Sequence, residues 1–105
     1  MEKKPREILH EFADKIRNRY PGAIILAFGS HAKGTATPES DLDICVVLPK
    51  MEPDDRIAIS DIAWETGLNH DLHLSTVVVS RKDFEHGPLS VSPFIEAVRN
   101  EGVAA

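Results

Sequence analysis

Two aspartates near the middle of the chain have the residue type and the spacing that metal-assisted chemistry needs. Asp41 and Asp43 open a strand-like segment, Asp41 to Leu48, whose residues alternate between an apolar face (Leu42, Ile44, Val46, Leu48) and a second face (Asp41, Asp43, Cys45, Val47). Residues i and i+2 of a strand share one face and lie roughly 6.6 Å apart at the backbone. We therefore expect both carboxylates to point the same way and to converge on one or two cations.

A carboxylate pair of this kind suits Mg²⁺, which prefers oxygen ligands and is usually held by one or two carboxylates together with substrate phosphates. Two such ions about 3.5–4 Å apart can hold the attacking and the leaving oxygen of an in-line displacement at phosphorus. The pattern thus predicts metal-assisted phosphoryl or nucleotidyl transfer.

A Gly-Ser turn precedes the aspartates. The apolar run Ala23 to Phe28 is too short for an ordinary helix and stops at Gly29, so it predicts a buried strand that leads into a turn. Ser30 to Gly34 then predicts a short helix that ends at Gly34. The first backbone N–H groups of a helix have no partner within the helix, and phosphate is a suitable ligand for them.

These residues together resemble a known family. Phe28-Gly29-Ser30 followed by Asp41-Leu42-Asp43-Ile44 resembles the signature of the DNA polymerase beta-like nucleotidyltransferase superfamily. The longer pattern Gly-Ser-x-Ala-x-Gly-Thr-Ala, then Ser-Asp-Leu-Asp, is similar to its small prokaryotic branch, the minimal nucleotidyltransferases, which are often the antitoxin partners of HEPN-domain toxins. The resemblance implies an α/β nucleotidyltransferase (polymerase beta-like palm) fold, with a small three-stranded mixed sheet and helices on one side.

The resemblance also implies a nucleotide site and its cofactors. Gly29 and Ser30 would hold the terminal phosphates of ATP or another nucleoside triphosphate, and the reaction would use Mg²⁺, with two ions expected. Lys33 is a further candidate for a phosphate contact. Ser40 is another nucleotide-site candidate, although it can equally orient Asp41 or cap the turn.

A third carboxylate is implied by the resemblance on the next strand, which the sequence predicts over Asp71 to Ser80. Asp71 is the only acid in that segment, so it is the candidate that joins Asp41 and Asp43 as metal ligand and catalytic residue. Aspartate is otherwise depleted in strands, and the simpler interpretation is a residue of the turn at the strand end. His73 shares its face, and its role stays open between support of the site, a base, and packing.

Two positions depart from the family pattern. His31 stands where an arginine is common after the Gly-Ser pair, and Lys33 replaces another common arginine. Neither side chain offers the guanidinium fork that binds phosphate oxygens in pairs. We expect these changes to weaken triphosphate binding and to leave the metal-binding carboxylates intact.

Length and composition indicate one minimal nucleotidyltransferase domain over residues 1–105, with 42% hydrophobic and 28% charged residues. The net charge of −5 argues against an extended nucleic-acid partner, because that binding depends on lysine and arginine neutralising phosphates. A single cysteine, Cys45, excludes an internal disulfide and is expected in the core. Neither a membrane span nor a signal peptide is recognisable, so a cytoplasmic location is expected.

The remaining elements are predicted from hydrophobic spacing and from residues that start or stop helices. They are an amphipathic helix over Glu7 to Tyr20, a helix from Asp54 and Asp55 to about Leu68, a short helix Arg81 to Glu85, a loop through Gly87-Pro88, and a last helix Pro93 to Asn100.

The predicted function is transfer of a nucleoside monophosphate, AMP from ATP, to a hydroxyl. The sequence ends soon after the third predicted strand, so we expect the acceptor to be held by a partner or to be the partner. The resemblance points to a tyrosine of a HEPN toxin. Two alternatives stay open: an antitoxin of the same fold that acts by contact alone, and an enzyme for a small molecule such as an aminoglycoside. The sequence leaves open whether homo- or hetero-oligomers form.

Overall fold

The computed structural model describes residues 1–86 and 91–105 as five helices and four strands. The helices are α1 (Lys3–Arg19), α2 (Gly29–Lys33), α3 (Asp55–His70), α4 (Arg81–Glu85) and α5 (Pro93–Glu101), and the strands are β1 (Ile24–Phe28), β2 (Leu42–Leu48), β3 (Leu74–Ser80) and β4 (Val103–Ala104). The loop expected at Gly87-Pro88 lies outside the described residues. No helix in the described ranges is long and apolar enough to cross a membrane.

The described strands form one mixed sheet in the order β3-β2-β1-β4. Strand β1 pairs antiparallel with both β2 and β4, whereas β2 and β3 are parallel and are connected through α3. The predicted α/β fold with a mixed sheet is confirmed, but the expected number of three strands omits β4. This strand has two residues, too few for a periodic pattern to reveal it.

Helices cover both faces of the sheet, so the expectation of helices on one side is wrong. One face carries Leu42 and Ile44 and packs against α1 and α3. The opposite face carries Cys45 and Val47 and packs against Ile95 and Val98 of α5. The reason is already in the composition of β2, because a strand that is apolar on both faces must be covered on both.

The strand register brings three strand ends to one edge of the sheet. Phe28, the last residue of β1, lies opposite Asp43, and Asp43 lies beside Ser75 near the start of β3. The end of β1, the start of β2 and the start of β3 therefore meet at this edge. The short helix α2 follows β1 there, and its predicted end at Gly34 is confirmed by a left-handed residue with φ of 79°.

The third strand starts later than predicted. Strand β3 begins at Leu74, and Asp71 is instead the residue that ends α3, in the left-handed conformation with φ of 51°. The N–H groups of both Asp71 and Leu72 donate to the carbonyl oxygen of Gly67, with an N–O distance of 3.0 Å for Leu72. Helix α3 runs two residues beyond its expected end, and its termination needs a residue that tolerates positive φ. The prediction that Asp71 belongs to the strand is therefore wrong.

Candidate active site

Asp41 and Asp43 lie at the sheet edge where the three strand ends meet. Asp41 is exposed and precedes β2, while Asp43 is partly buried on the same face of the strand as Cys45 and Val47. Burial and the negative charge of Asp41 raise the pKa of the Asp43 carboxyl above its usual value, and the charges of His31 and His73 partly oppose this rise. The two carboxylates are thus close enough to interact, and one of them is held in a setting that disfavours its charge.

Gly29 places the backbone of the Gly-Ser turn directly against Asp43. Its φ of 74° lies in the left-handed region, and a Cβ atom added there would run into the Oδ2 atom of Asp43. Only glycine meets both conditions without strain. The next residue, Ser30, is partly buried, and its hydroxyl makes no hydrogen bond to any residue that the structure describes. That hydroxyl is available to a ligand.

Ser40 and His31 fix the loop that leads into Asp41. The Oγ atom of Ser40 accepts a hydrogen bond from the N–H of Thr37 at 2.9 Å, and the Ser40 N–H donates to the carbonyl of Thr37 at 3.0 Å. The Nε2 atom of His31 lies 3.1 Å from the carbonyl oxygen of Ser40. Of the roles considered for Ser40, capping of the turn is the one these contacts describe.

Lys33, the candidate phosphate contact, forms an ion pair with Glu101 of α5. Its Nζ atom lies 3.4 Å from the Glu101 carboxylate, and both side chains are about half exposed, at 51% and 43%. An exposed pair of this kind contributes at most about 1 kcal/mol. The ammonium group can therefore exchange this partner for a ligand at low cost.

The side chain that the structure places beside Asp41 is His73. Its Nδ1 atom lies 3.3 Å from the Oδ2 atom of Asp41, and its carbonyl oxygen accepts a hydrogen bond of 2.9 Å from the Leu42 N–H. This backbone contact is the first link between β2 and β3, so the sheet itself positions the histidine. The signal in the sequence is the alternation Leu72-His73-Leu74, which puts His73 opposite the apolar face.

Asp71, predicted as the third carboxylate, is exposed and lies before the strand. It lines a shallow cavity of about 190 Å³ together with His73 and Trp64. It is not among the groups whose charges shift the pKa of Asp43. Within residues 1–86 and 91–105, no three His, Cys, Asp or Glu side chains are arranged to hold a metal ion by themselves.

Asp41 and Asp43 nevertheless fit a divalent cation. They supply oxygen ligands from one face, and part of the raised pKa of Asp43 comes from the neighbouring negative charge, which a bound cation would offset. Two carboxylates are also the number that Mg²⁺ commonly takes from a protein when substrate phosphates complete its coordination.

Cys45 lies two residues beyond Asp43 on the same strand and is fully buried. Burial raises the pKa of its thiol to about 11. The thiol is therefore protonated at neutral pH and unreactive, which agrees with the expectation of a core residue.

Sequence comparison identifies the class of protein that this fold and site define. The nucleotidyltransferase domain family matches residues 9–100, so the chain belongs to that family. Two proteins of Methanocaldococcus jannaschii that carry the name of protein adenylyltransferases are similar: one is 32% identical over 99 residues and the other 44% identical over 41 residues. The aligned residues are 90% and 37% of this chain, and they span 66% and 41% of the relatives' own lengths.

Solved structures show the same fold. A toxin–antitoxin complex with AMP-PNP has a TM-score of 0.68 and 21% identity, over 97% of this chain and 72% of that one. The complex of a tri-AMPylated HEPN toxin of Shewanella oneidensis with its MNT antitoxin has a TM-score of 0.59 and 18% identity, over 95% of this chain and 70% of that one. At these identities the likeness establishes the nucleotidyltransferase fold.

Proposed function

We propose that this chain transfers AMP from ATP to a hydroxyl group on a partner protein. The observation that carries the proposal is the placement of the carboxylates of Asp41 and Asp43 next to the Gly29-Ser30 turn, at one edge of the sheet. Carboxylates suit a divalent cation, and a turn with close backbone approach suits phosphate. Membership of the nucleotidyltransferase family supports the same reaction class.

Asp41 and Asp43 would hold Mg²⁺ in this reaction. When bound, the ion would neutralise charge on the donor phosphates and on the oxygen that leaves from the α-phosphorus. Gly29 would let the backbone approach the terminal phosphates, and the hydroxyl of Ser30 would donate to them. Lys33 would leave Glu101 and place its positive charge near the phosphates. Ser40 would stabilise the turn before Asp41.

The acceptor hydroxyl would arrive on the side of Asp41 that faces His73. Its oxygen forms a bond to the α-phosphorus, the bond from that phosphorus to the bridging oxygen breaks, and pyrophosphate leaves. The hydroxyl proton passes to a carboxylate of the site, and His73 would orient Asp41 as that carboxylate. The role of Asp71 as a third carboxylate stays a prediction, because it lies before β3 rather than on it.

The partner that we propose is a HEPN-type helical toxin, modified on a tyrosine and neutralised by the modification. Two observations support this choice. The structural neighbours include a complex of an AMPylated HEPN toxin with an MNT antitoxin. The relatives in sequence carry the name of protein adenylyltransferases, whose acceptors are proteins.

The experiment uses the purified chain, Mg²⁺ and ATP labelled at the α-phosphate, in lysate of its own source cells. Asp43→Asn tests the site, and Asp14→Asn is the matched control, because Asp14 is an exposed residue of α1. We expect metal-dependent label on one protein with wild type and with the control, and loss of at least about 100-fold with Asp43→Asn. Label that persists in Asp43→Asn would refute the assignment of the site, and mass spectrometry would identify the modified residue.

A second candidate function is an antitoxin that acts by contact alone. Two observations favour it: His31 supplies no guanidinium fork after the Gly-Ser pair, and Lys33 is engaged with Glu101. Neutralisation of a co-expressed toxin separates the two. If neutralisation depends on AMP transfer, Asp43→Asn abolishes it. If binding alone neutralises the toxin, the variant neutralises as well as wild type.

A further inference from the structure

Helix α3 carries an apolar stripe on its outer side. Ile57, Trp64 and Leu68 are spaced seven and four residues apart, so they share one face of the helix, and they are 66%, 63% and 63% exposed. We call these three residues the α3 stripe. The inner face of the same helix is separately occupied, because Ile59 and Ala63 are buried in the main core. The helix is therefore apolar on two sides, of which only one is used by the fold.

Nothing in the described part of the chain covers the α3 stripe. Five large apolar residues there are exposed, and three of them belong to the stripe, the others being Val91 and Phe94. Phe94 packs edge-on against Phe28, at 5.2 Å between ring centroids, whereas the Trp64 ring has no such partner among the described residues. Single exposed apolar residues are ordinary, but an aligned set is typical of an interaction site.

The α3 stripe leads directly to the catalytic edge of the sheet. Trp64 and Leu68 line the cavity of about 190 Å³ together with Asp71 and His73. His73 in turn contacts Asp41. A segment that binds on Trp64 and Leu68 therefore lies at the cavity that is also lined by His73, the residue that contacts one carboxylate of the pair.

The charges around the stripe are mostly acidic, and Arg56, next to Ile57 in the first turn of α3, is the exception. Asp61 lies on the same face between Ile57 and Trp64, and Glu65 borders it, while Asp71 is exposed at the end nearest the site. None of these three acids forms an ion pair within the described residues. A second copy of this chain docked symmetrically on the stripe would bring the same acids together. Electrostatic complementarity therefore favours a basic partner over self-association.

We propose that the α3 stripe is the docking surface for the protein that presents the acceptor hydroxyl. Its contacting element is an amphipathic helix with apolar residues at helical spacing, bordered by lysine or arginine residues that face Asp61 and Glu65. Trp64 is the anchor at the centre of the contact. That the bound protein carries the acceptor hydroxyl rests on the proposed function. The preference of the surface for a basic amphipathic helix does not depend on it.

Trp64 is the only tryptophan of the chain, so its fluorescence reports on the stripe alone. The probe is a synthetic tryptophan-free amphipathic peptide with leucines on one helical face, lysines along its borders and one tyrosine. A matched peptide carries glutamate in place of each lysine. We expect the lysine peptide to shift Trp64 emission to shorter wavelength in a saturable titration, and the glutamate peptide to leave the emission unchanged.

A pair of charge reversals provides the control for the protein's overall negative charge. Asp61→Lys and Asp14→Lys change the net charge equally, but only Asp61 lies beside the α3 stripe. We expect Asp61→Lys to weaken the lysine peptide about tenfold and Asp14→Lys to weaken it by less than about twofold. The proposal is overturned by equal effects of the two reversals, by no emission shift, or by an emission shift that follows protein concentration as a dimer forms.

Two further measurements separate this proposal from the proposed function. Asp43→Asn should bind the lysine peptide as tightly as wild type, because docking does not need the carboxylate pair. If the peptide docks while no protein acquires label from ATP, the proposed transfer fails and the docking surface stands. The opposite outcome is that a protein acquires label at the same rate with wild type and with the double variant Trp64→Ala, Leu68→Gln. In that case the docking surface is wrong and the transfer stands.

Discussion

The Cα atom of Gly29 faces the carboxylate of Asp43 so closely that no side chain fits between them. A Cβ atom at this position would overlap the Oδ2 atom of Asp43, and the φ of 74° already lies where other residues are strained. The contact crosses the sheet, because Phe28 and Asp43 are opposed in the β1–β2 register. The Gly29-Ser30 turn and the aspartate pair therefore belong to one site. Glycine at position 29 allows the backbone of the turn to contact the carboxylate of Asp43.

This contact predicts that Gly29→Ala is more harmful than an equivalent change nearby. Gly34→Ala is the matched control, since Gly34 has a similar φ of 79° but nothing within 4 Å of its Cβ position. We expect Gly34→Ala to lower the free energy of unfolding by about 1 kcal/mol through backbone strain. Gly29→Ala should cost about 1–3 kcal/mol more, because the added methyl group displaces Asp43. Chemical denaturation measures both, and equal costs would contradict the contact.

The raised pKa of Asp43 predicts that removal of its charge stabilises the protein. Its carboxyl has a higher pKa in the folded chain than its ordinary 3.8, chiefly through burial. The folded state therefore holds this proton more tightly, and the resulting stabilisation at low pH is lost as pH rises through the folded pKa. We expect Asp43→Asn to have a higher Tm than wild type at pH 7 in EDTA, with the difference vanishing below about pH 4.

The control for this titration is Asp14→Asn, which removes an exposed carboxylate of α1. It should not raise the Tm at pH 7, because the Asp14 carboxylate is exposed to water and its removal relieves no burial. If Asp43→Asn is instead less stable than wild type at neutral pH, favourable contacts of the Asp43 carboxylate outweigh the cost of burying its charge, and the prediction is wrong.

Much of the arrangement follows from local patterns in the sequence. The alternation in β2 correctly places Leu42 and Ile44 in one core and Cys45 and Val47 in the other, with Asp43 on the second face. Helices α1, α4 and α5 lie where hydrophobic spacing and stop signals place them, within a few residues at their ends. These features depend on periods of 2 and 3.6 residues, which a single sequence displays directly.

The parts that the sequence did not predict depend on contacts between distant segments. Strand β4 exists because Val103 and Ala104 reach the free edge of β1, and two residues carry no pattern of their own. The start of β3 depends on where α3 stops, and Asp71 was available either to open a strand or to end a helix. The contact of His73 with Asp41 follows from the parallel register of β2 and β3, which tertiary structure sets.

That contact predicts a positioning role for His73. Replacement by alanine removes the imidazole beside Asp41 but keeps the backbone link to Leu42, so the sheet is expected to survive. Loss of a group that orients a metal-binding side chain typically lowers activity about 10–100-fold, and we expect His73→Ala to lower kcat of AMP transfer within this range. His10→Ala, at an exposed position of α1, should leave kcat unchanged. An unchanged kcat in His73→Ala would show that the contact is incidental.

Asp71 has two possible roles, and one substitution distinguishes them. Asp71→Gly keeps the left-handed conformation that ends α3 without the strain of a side chain at φ of 51°, and it removes the carboxylate. Relief of strain and the greater freedom of glycine in the unfolded chain oppose each other, so the free energy of unfolding should change by less than about 1 kcal/mol. If Asp71 only ends α3, AMP transfer should fall less than about threefold, far less than in Asp43→Asn. A loss as large as that of Asp43→Asn, with Tm preserved, would instead establish Asp71 as the third carboxylate of the site.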